Sequence, residues 1–178
     1  MDGLTAPSAR VKSYPRHQRK TIMSVAATPE NPTQATTIRR IDQLLTTYGE
    51  SHTKPANELI HYIAIPLIVF SLIGLLHWIH PTLALVVIAA SIVYYARLSI
   101  VFMITMTLIA AVMVYGASLL GAALLPASIG IFVVSWVFQF IGHKIEGKKP
   151  SFLEDLQYLL VGPLFVLSKL FLKLGIKW

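Results

Sequence analysis

The sequence predicts an all-α protein: a polytopic membrane helical bundle of about four transmembrane helices with a C-terminal amphipathic or re-entrant helix. Three observations predict it. Hydrophobic residues make up 55% of the 178-residue chain and charged residues only 13%, about half the usual charged share of a soluble domain. Between residues 59 and 142 there is no Asp, Glu or Lys, and Arg97 is the single Arg. That region is broken by turn-forming residues into apolar stretches of near bilayer-spanning length.

Taken in order, residues 1–37 read as a disordered basic tail. Arg10, Lys12, Arg16, Arg19 and Lys20 stand against Asp2 and Glu30, among four prolines, with no apolar period. No apolar run follows the basic cluster, so a secretory signal is not expected; an organelle transit peptide and a later start at Met23 are rival readings. The domain proper begins at residue 38 and runs to 178. Ile38, Ile41, Leu44 and Leu45 recur at helical spacing, which predicts a short amphipathic helix ending near Tyr48-Gly49. A polar stretch with Pro55 follows. Residues 59–79 form the first expected span, with Pro66 inside it, a proline that a packed bundle tolerates. His80-Pro81 turns the chain into a shorter apolar stretch, 83–96, closed by Arg97. Residues 98–120 form a further span, residues 121–126 a small-residue break, and residues 127–142 a fourth apolar stretch. Gly116 and Gly121 are expected to permit close helix packing. The tail from Ser151 is mixed: Leu and Phe recur at helical spacing, Pro163 interrupts, and Lys169, Lys173 and Lys177 fall four apart. It reads as an interfacial or re-entrant helix.

The net charge of +7 sits in the tail and in one set of loops, so it reports orientation. With spans from residue 59 to 142, the N-terminus, Arg97 and Lys144–Lys149 share one side, cytoplasmic by the positive-inside rule. The basic surface is expected to meet anionic membrane lipids and no nucleic acid, since no ladder of aromatic and basic residues offers stacking. Short loops and the lack of a retention signal favour a bacterial inner membrane over the endoplasmic reticulum.

With no cysteine, any metal must be held by histidine and carboxylate. His77 and His80 flank Trp78 at the outer end of the first span and read as interfacial anchors. His52, His61 and His143 are far apart in sequence yet fall at one expected depth, the cytoplasmic boundary. Glu146 follows His143 by three residues and Glu58 precedes His61 by three, which puts each pair on one helix face; Gln139 lies four before His143. Imidazoles with a carboxylate suit a non-haem Fe(II) centre that binds O2, and zinc accepts the same ligands. No serine-hydrolase elbow, P-loop or dinucleotide fingerprint is present.

Two longer motifs carry a family resemblance. Tyr48-Gly49-Glu50-Ser51-His52-Thr53-Lys54-Pro55-Ala56-Asn57-Glu58-Leu59-Ile60-His61 with Pro66, and Trp136-Val137-Phe138-Gln139-Phe140-Ile141-Gly142-His143 with Glu146 and Pro150, resemble the two signature patterns of the Mpo1-like 2-hydroxy fatty acid dioxygenases. The resemblance covers about residues 38–175. It implies an integral membrane, Fe(II)-dependent enzyme of fatty acid alpha-oxidation, which uses O2 to cleave a 2-hydroxy fatty acid to the acid one carbon shorter. Carried over by motif, His52, His61 and His143 are the metal ligands and catalytic residues, and Glu146 is a fourth ligand or supports one. Asn57 and Gln139 orient ligands or substrate, and His77 or His80 is the remaining source of a fourth imidazole. Beside the motif, a nearby lysine, Lys54, Lys144 or Lys148, is expected to steer the substrate carboxylate. The competing readings are a non-enzymatic membrane scaffold or assembly protein, and a zinc-dependent membrane hydrolase using the same histidines.

Overall fold

The computed structural model describes residues 38–50, 52–147 and 158–178. The basic tail read over residues 1–37, and the segment holding Lys148 and Pro150, lie outside these residues. The described elements are helices: α1 (Arg40–Glu50), α2 (Pro55–Ile79), α3 (Pro81–Ala96), α4 (Ile100–Leu119), a 3-10 turn (Gly121–Ala123), α5 (Leu124–Glu146) and α6 (Val161–Leu174). The all-α bundle expected from the sequence is what the chain forms.

The turns explain the boundaries. His80 is the single residue between α2 and α3. Its backbone is extended, its Nδ1 accepts from the Thr82 N–H at 3.2 Å, and Pro81 opens α3, where a missing N–H costs nothing. Ser99 caps α4 by accepting from Phe102 N–H. Gly121 takes a positive φ of 48° with open space around its α-carbon, so it serves the turn into α5 and not the close packing expected of it. Gly147, at φ 77°, ends α5, which runs past Gly142 and carries His143 and Glu146 on one continuous helix. Gly175, at φ 70°, ends α6. Lys177 therefore falls beyond the helix, and the expected basic stripe is reduced to Lys169 and Lys173.

Helices α2 and α5 share the most extensive seam. Two glycines allow it: a Cβ on Gly74 would collide with Ser128, and one on Gly142 would collide with Asn57. Position rises along one helix as it falls along the other, so the pair is antiparallel, and the start of α2 meets the end of α5. A core of Ile41, Tyr95, Phe102, Met106, Leu164, Leu167 and Phe171 joins α1, α3, α4 and α6. A second cluster of Tyr48, Ile65, Val161 and Phe165 lies beside it. Eight of the fourteen residues of α6 are buried, so it is packed into the bundle on more than one narrow stripe.

The outer surface is apolar. Val112 on α4 is 71% exposed and Leu108 is 64% exposed, which in water would be a large unprotected patch. Helix α2, helix α4 and the continuous segment Gly121–Glu146 are long and apolar enough to cross a membrane. Helix α3 is apolar but has 16 residues; it is about 24 Å long, short of a hydrocarbon core of about 30 Å.

Candidate functional site

The three boundary histidines meet where α1, α2 and α5 converge. His52 follows α1, His61 lies in the second turn of α2, and His143 lies in the last turn of α5. All three are buried, His61 to 2% exposure. Ring centroids are 4.2 Å apart for His52 and His61, 5.6 Å for His61 and His143, and 6.2 Å for His52 and His143.

Tyr48 organises two of them, a role that its place at the end of the first helix does not announce. The His52 Nδ1 lies 2.7 Å from the Tyr48 carbonyl oxygen. A carbonyl only accepts, so Nδ1 carries the proton and donates, which leaves Nε2 with the lone pair. The Tyr48 ring stacks on the His52 ring at 4.2 Å and 10°, and its hydroxyl lies 3.4 Å from His61 Nδ1. The available signal was the four-residue spacing from Tyr48 to His52, but the contact runs through a backbone carbonyl that no side-chain pattern reports.

Glu146 holds the entry to α2. Its carboxylate accepts from the Thr53 N–H at 2.9 Å, the Lys54 N–H at 3.0 Å, Asn57 Nδ2 at 3.0 Å and the Thr53 hydroxyl. Lys54 and Pro55 open α2 without a side-chain cap of their own. A carboxylate here satisfies unpaired donors and meets the positive end of the helix. Both Glu146 oxygens are thus engaged in tying the end of α5 to the chain between His52 and His61. Glu58 points its bonds elsewhere, to Lys169 at 2.7 Å and to the Tyr62 hydroxyl at 2.8 Å.

Asn57 is fully buried; its Oδ1 has no hydrogen-bond partner and abuts Gly142. Gln139, with a buried unpartnered Oε1, lines a cavity of about 40 Å³ together with His61, Tyr48, Trp136 and Tyr158. Lys54 and Lys144 are exposed and stand outside the buried cluster. His77 lies sixteen residues along α2 from His61, about 24 Å by the helical rise, and His80 caps α3; neither joins the histidine cluster.

Two features fit an ion-binding role. His52 Nδ1 donates to a carbonyl, the arrangement that fixes a metal-ligating imidazole with its other nitrogen as ligand. His61 Nε2 is buried without a hydrogen-bond partner, an exception that polar groups in folded proteins rarely show. The cluster is not closed as it stands: among the described residues, no group of three or more His, Asp or Glu side chains sits at ligand geometry. With metal–nitrogen bonds of about 2.1 Å, imidazoles sharing one ion have centroids roughly 4.5–5.5 Å apart. The His52–His143 pair, at 6.2 Å, is the widest of the three.

Residues 38–174 match the family described as 2-hydroxy-palmitic acid dioxygenase Mpo1-like. The chain is also similar to the 2-hydroxy-palmitic acid dioxygenase MPO1 of Saccharomyces cerevisiae, with 30% identity over 138 residues, 72% of this chain and 78% of that protein. No solved structure matches the chain.

Proposed function

The chain belongs to the Mpo1-like family, and from that premise we propose that it is a membrane-embedded, Fe(II)-dependent dioxygenase. Its substrate is a 2-hydroxy fatty acid, which it cleaves with O2 to the fatty acid one carbon shorter. The observation that carries the reading is the convergence of His52, His61 and His143, separated by up to 91 positions, on one buried point beside a small cavity.

In this reading the three imidazoles hold the ion. Tyr48 fixes the tautomer of His52 and braces His61. Glu146 keeps the segment Thr53–Asn57 in place, so that His52 and His61 stay within reach of His143. When bound, iron supplies the chelating point for the substrate's 2-hydroxyl and carboxylate and the site where O2 is activated. Gln139 accepts a hydrogen bond from the 2-hydroxyl, and the packed apolar wall of Ile65 and Ile68 keeps bulk water from the reacting carbons. Lys54 and Lys144, exposed near the histidine end, attract the carboxylate from the interface. The Lys and Arg residues of the described chain lie towards this end and are absent around His80 and Gly121, so the histidine end faces the cytoplasm.

The test is elemental analysis of detergent-purified protein paired with O2 consumption on 2-hydroxypalmitate. One iron per chain and O2-dependent formation of the shortened acid are expected. His52→Ala, His61→Ala and His143→Ala should each abolish turnover while the protein still inserts into membranes. Stoichiometric zinc with O2-independent hydrolysis would replace the reading with a hydrolase, and no stoichiometric metal would replace it with a scaffold.

A further inference from the structure

A second cavity, of about 310 Å³, lies between α2, α3, α4 and the start of α6. Its volume is at the lower edge of the range of small-molecule sites, about 300–1,000 Å³. We infer that it is the chamber for the substrate's acyl tail, with Ala110 at its far end limiting tail length. This rests on the dioxygenase reading for the identity of the head group.

Four observations carry it. First, the 40 Å³ cavity beside His61 holds two or three waters at most; it accommodates the reacting carbons or O2 and no hydrocarbon tail. Second, the two spaces adjoin: Ile68 lines the small one, Val69 lines the large one, and Leu159 lines both. Third, the side chains lining the larger cavity are apolar but for two hydroxyls, and neither has a free proton to donate. Its two hydroxyls are spent on backbone carbonyls, Ser91 on Val87 at 2.9 Å and Tyr95 on Leu160 at 3.2 Å. Fourth, its depth fits a long chain. The lining extends along α2 to Leu76, fifteen residues and about 22 Å from His61 by the helical rise.

The orientation of the helices sets the far wall. Tyr95, Leu159 and Leu160 stand at the histidine end. Leu76, Val87 and Ala110 stand farthest from it, with Ala110 one turn beyond Met106 on α4. Ala110 is the smallest of the three, so enlarging it shortens the chamber with the least disturbance elsewhere. Each methylene denied its place costs about fourfold in binding.

The experiment uses the full chain in detergent. A 2-hydroxy fatty acid carrying a photoreactive group at its ω end is cross-linked, and the labelled peptides are mapped. Labels at Leu76, Val87 or Ala110 that 2-hydroxypalmitate displaces are expected, and this readout needs no turnover. In Ala110→Phe, the kcat/KM ratio of 2-hydroxydecanoate to 2-hydroxypalmitate should rise at least tenfold. Val87→Ala, which removes bulk and does not strain the fold, should move the preference towards longer chains. Labels elsewhere, or unchanged chain-length ratios in folded variants, overturn the chamber while leaving the dioxygenase reading intact. Labelling that ordinary phospholipid displaces as well as 2-hydroxypalmitate overturns it too, as a slot for bilayer lipid. Displaceable labelling in a protein without turnover supports the chamber and defeats the dioxygenase reading.

Discussion

Replacing Glu146 by Gln separates a metal ligand from a residue that positions one. Glu146 accepts four hydrogen bonds, from two N–H groups, the Thr53 hydroxyl and the Asn57 amide. A glutamine retains one oxygen and turns an NH2 towards the donors served by the other, so about two of the four bonds are lost and the charge goes from the rest. Hydrogen bonds to charged groups contribute about 1.5–3 kcal/mol each. Part of that is screened because Thr53 and Lys54 are exposed, which leaves a local loss of about 2–4 kcal/mol. Loss of a partner that orients ligands typically weakens metal binding about 10–100-fold, or about 1.4–2.8 kcal/mol, so the two magnitudes agree. Glu146→Gln is therefore expected to bind iron 10–100-fold more weakly and to recover most of its turnover at saturating iron. The assay is iron titration of the apo protein, with O2 consumption at each point. Thr53→Val, which removes one of the four donors, should show a smaller change in the same direction. Wild-type affinity in Glu146→Gln would refute the positioning role. Failure to bind iron at any concentration, as expected for His61→Ala, would make Glu146 a ligand.

Tyr48→Phe keeps the ring stacked on His52 and the carbonyl that fixes it, and removes the hydroxyl with its 3.4 Å contact to His61; iron titration should show less than a tenfold loss. Tyr48→Ala also empties the packing against Phe165 and should lower stability by about 3–5 kcal/mol, read by thermal denaturation in detergent. Gly142→Ala drives a methyl into Asn57 and should cost about 1–3 kcal/mol in the same assay, whereas Gly130→Ala, with open space at its α-carbon, should be neutral or slightly stabilising. Lys169→Met breaks the half-exposed pair with Glu58, worth about 1 kcal/mol at most. Normal iron content and turnover in that variant and in Glu58→Gln would place the Glu58 carboxylate outside the ion-binding set.

Much of the architecture was legible in the sequence because helices in a membrane bundle are written locally. Long apolar runs, one arginine in 84 residues, and breaks at His80-Pro81 and Gly121 specify where helices lie, since each signal acts within a turn of its own position. Boundaries were less legible where a distant residue decides them. Helix α2 starts at Pro55, four residues before the apolar run, because Glu146 from α5 supplies the cap that the local sequence lacks. Helix α5 continues through His143 to Glu146 because its end is set by Gly147 and not by the loss of hydrophobicity after Gly142.

The site divides the same way. The residue types and common depth of His52, His61 and His143 could be read from the chain. Their meeting could not, because it depends on the antiparallel seam of α2 and α5. Gly74 and Gly142 matter there only in relation to Ser128 and Asn57, across the interface. Tyr48's role and the apolar cavity lined by Ala110 belong to the tertiary structure alone: one acts through a backbone carbonyl, and the other is a space bounded by four helices. Sequence by itself determined the helices and the chemistry available to them. Only the packing of α1, α2 and α5 decided which of those groups share a site, because contact between distant residues depends on helix register and shape, which no single segment encodes.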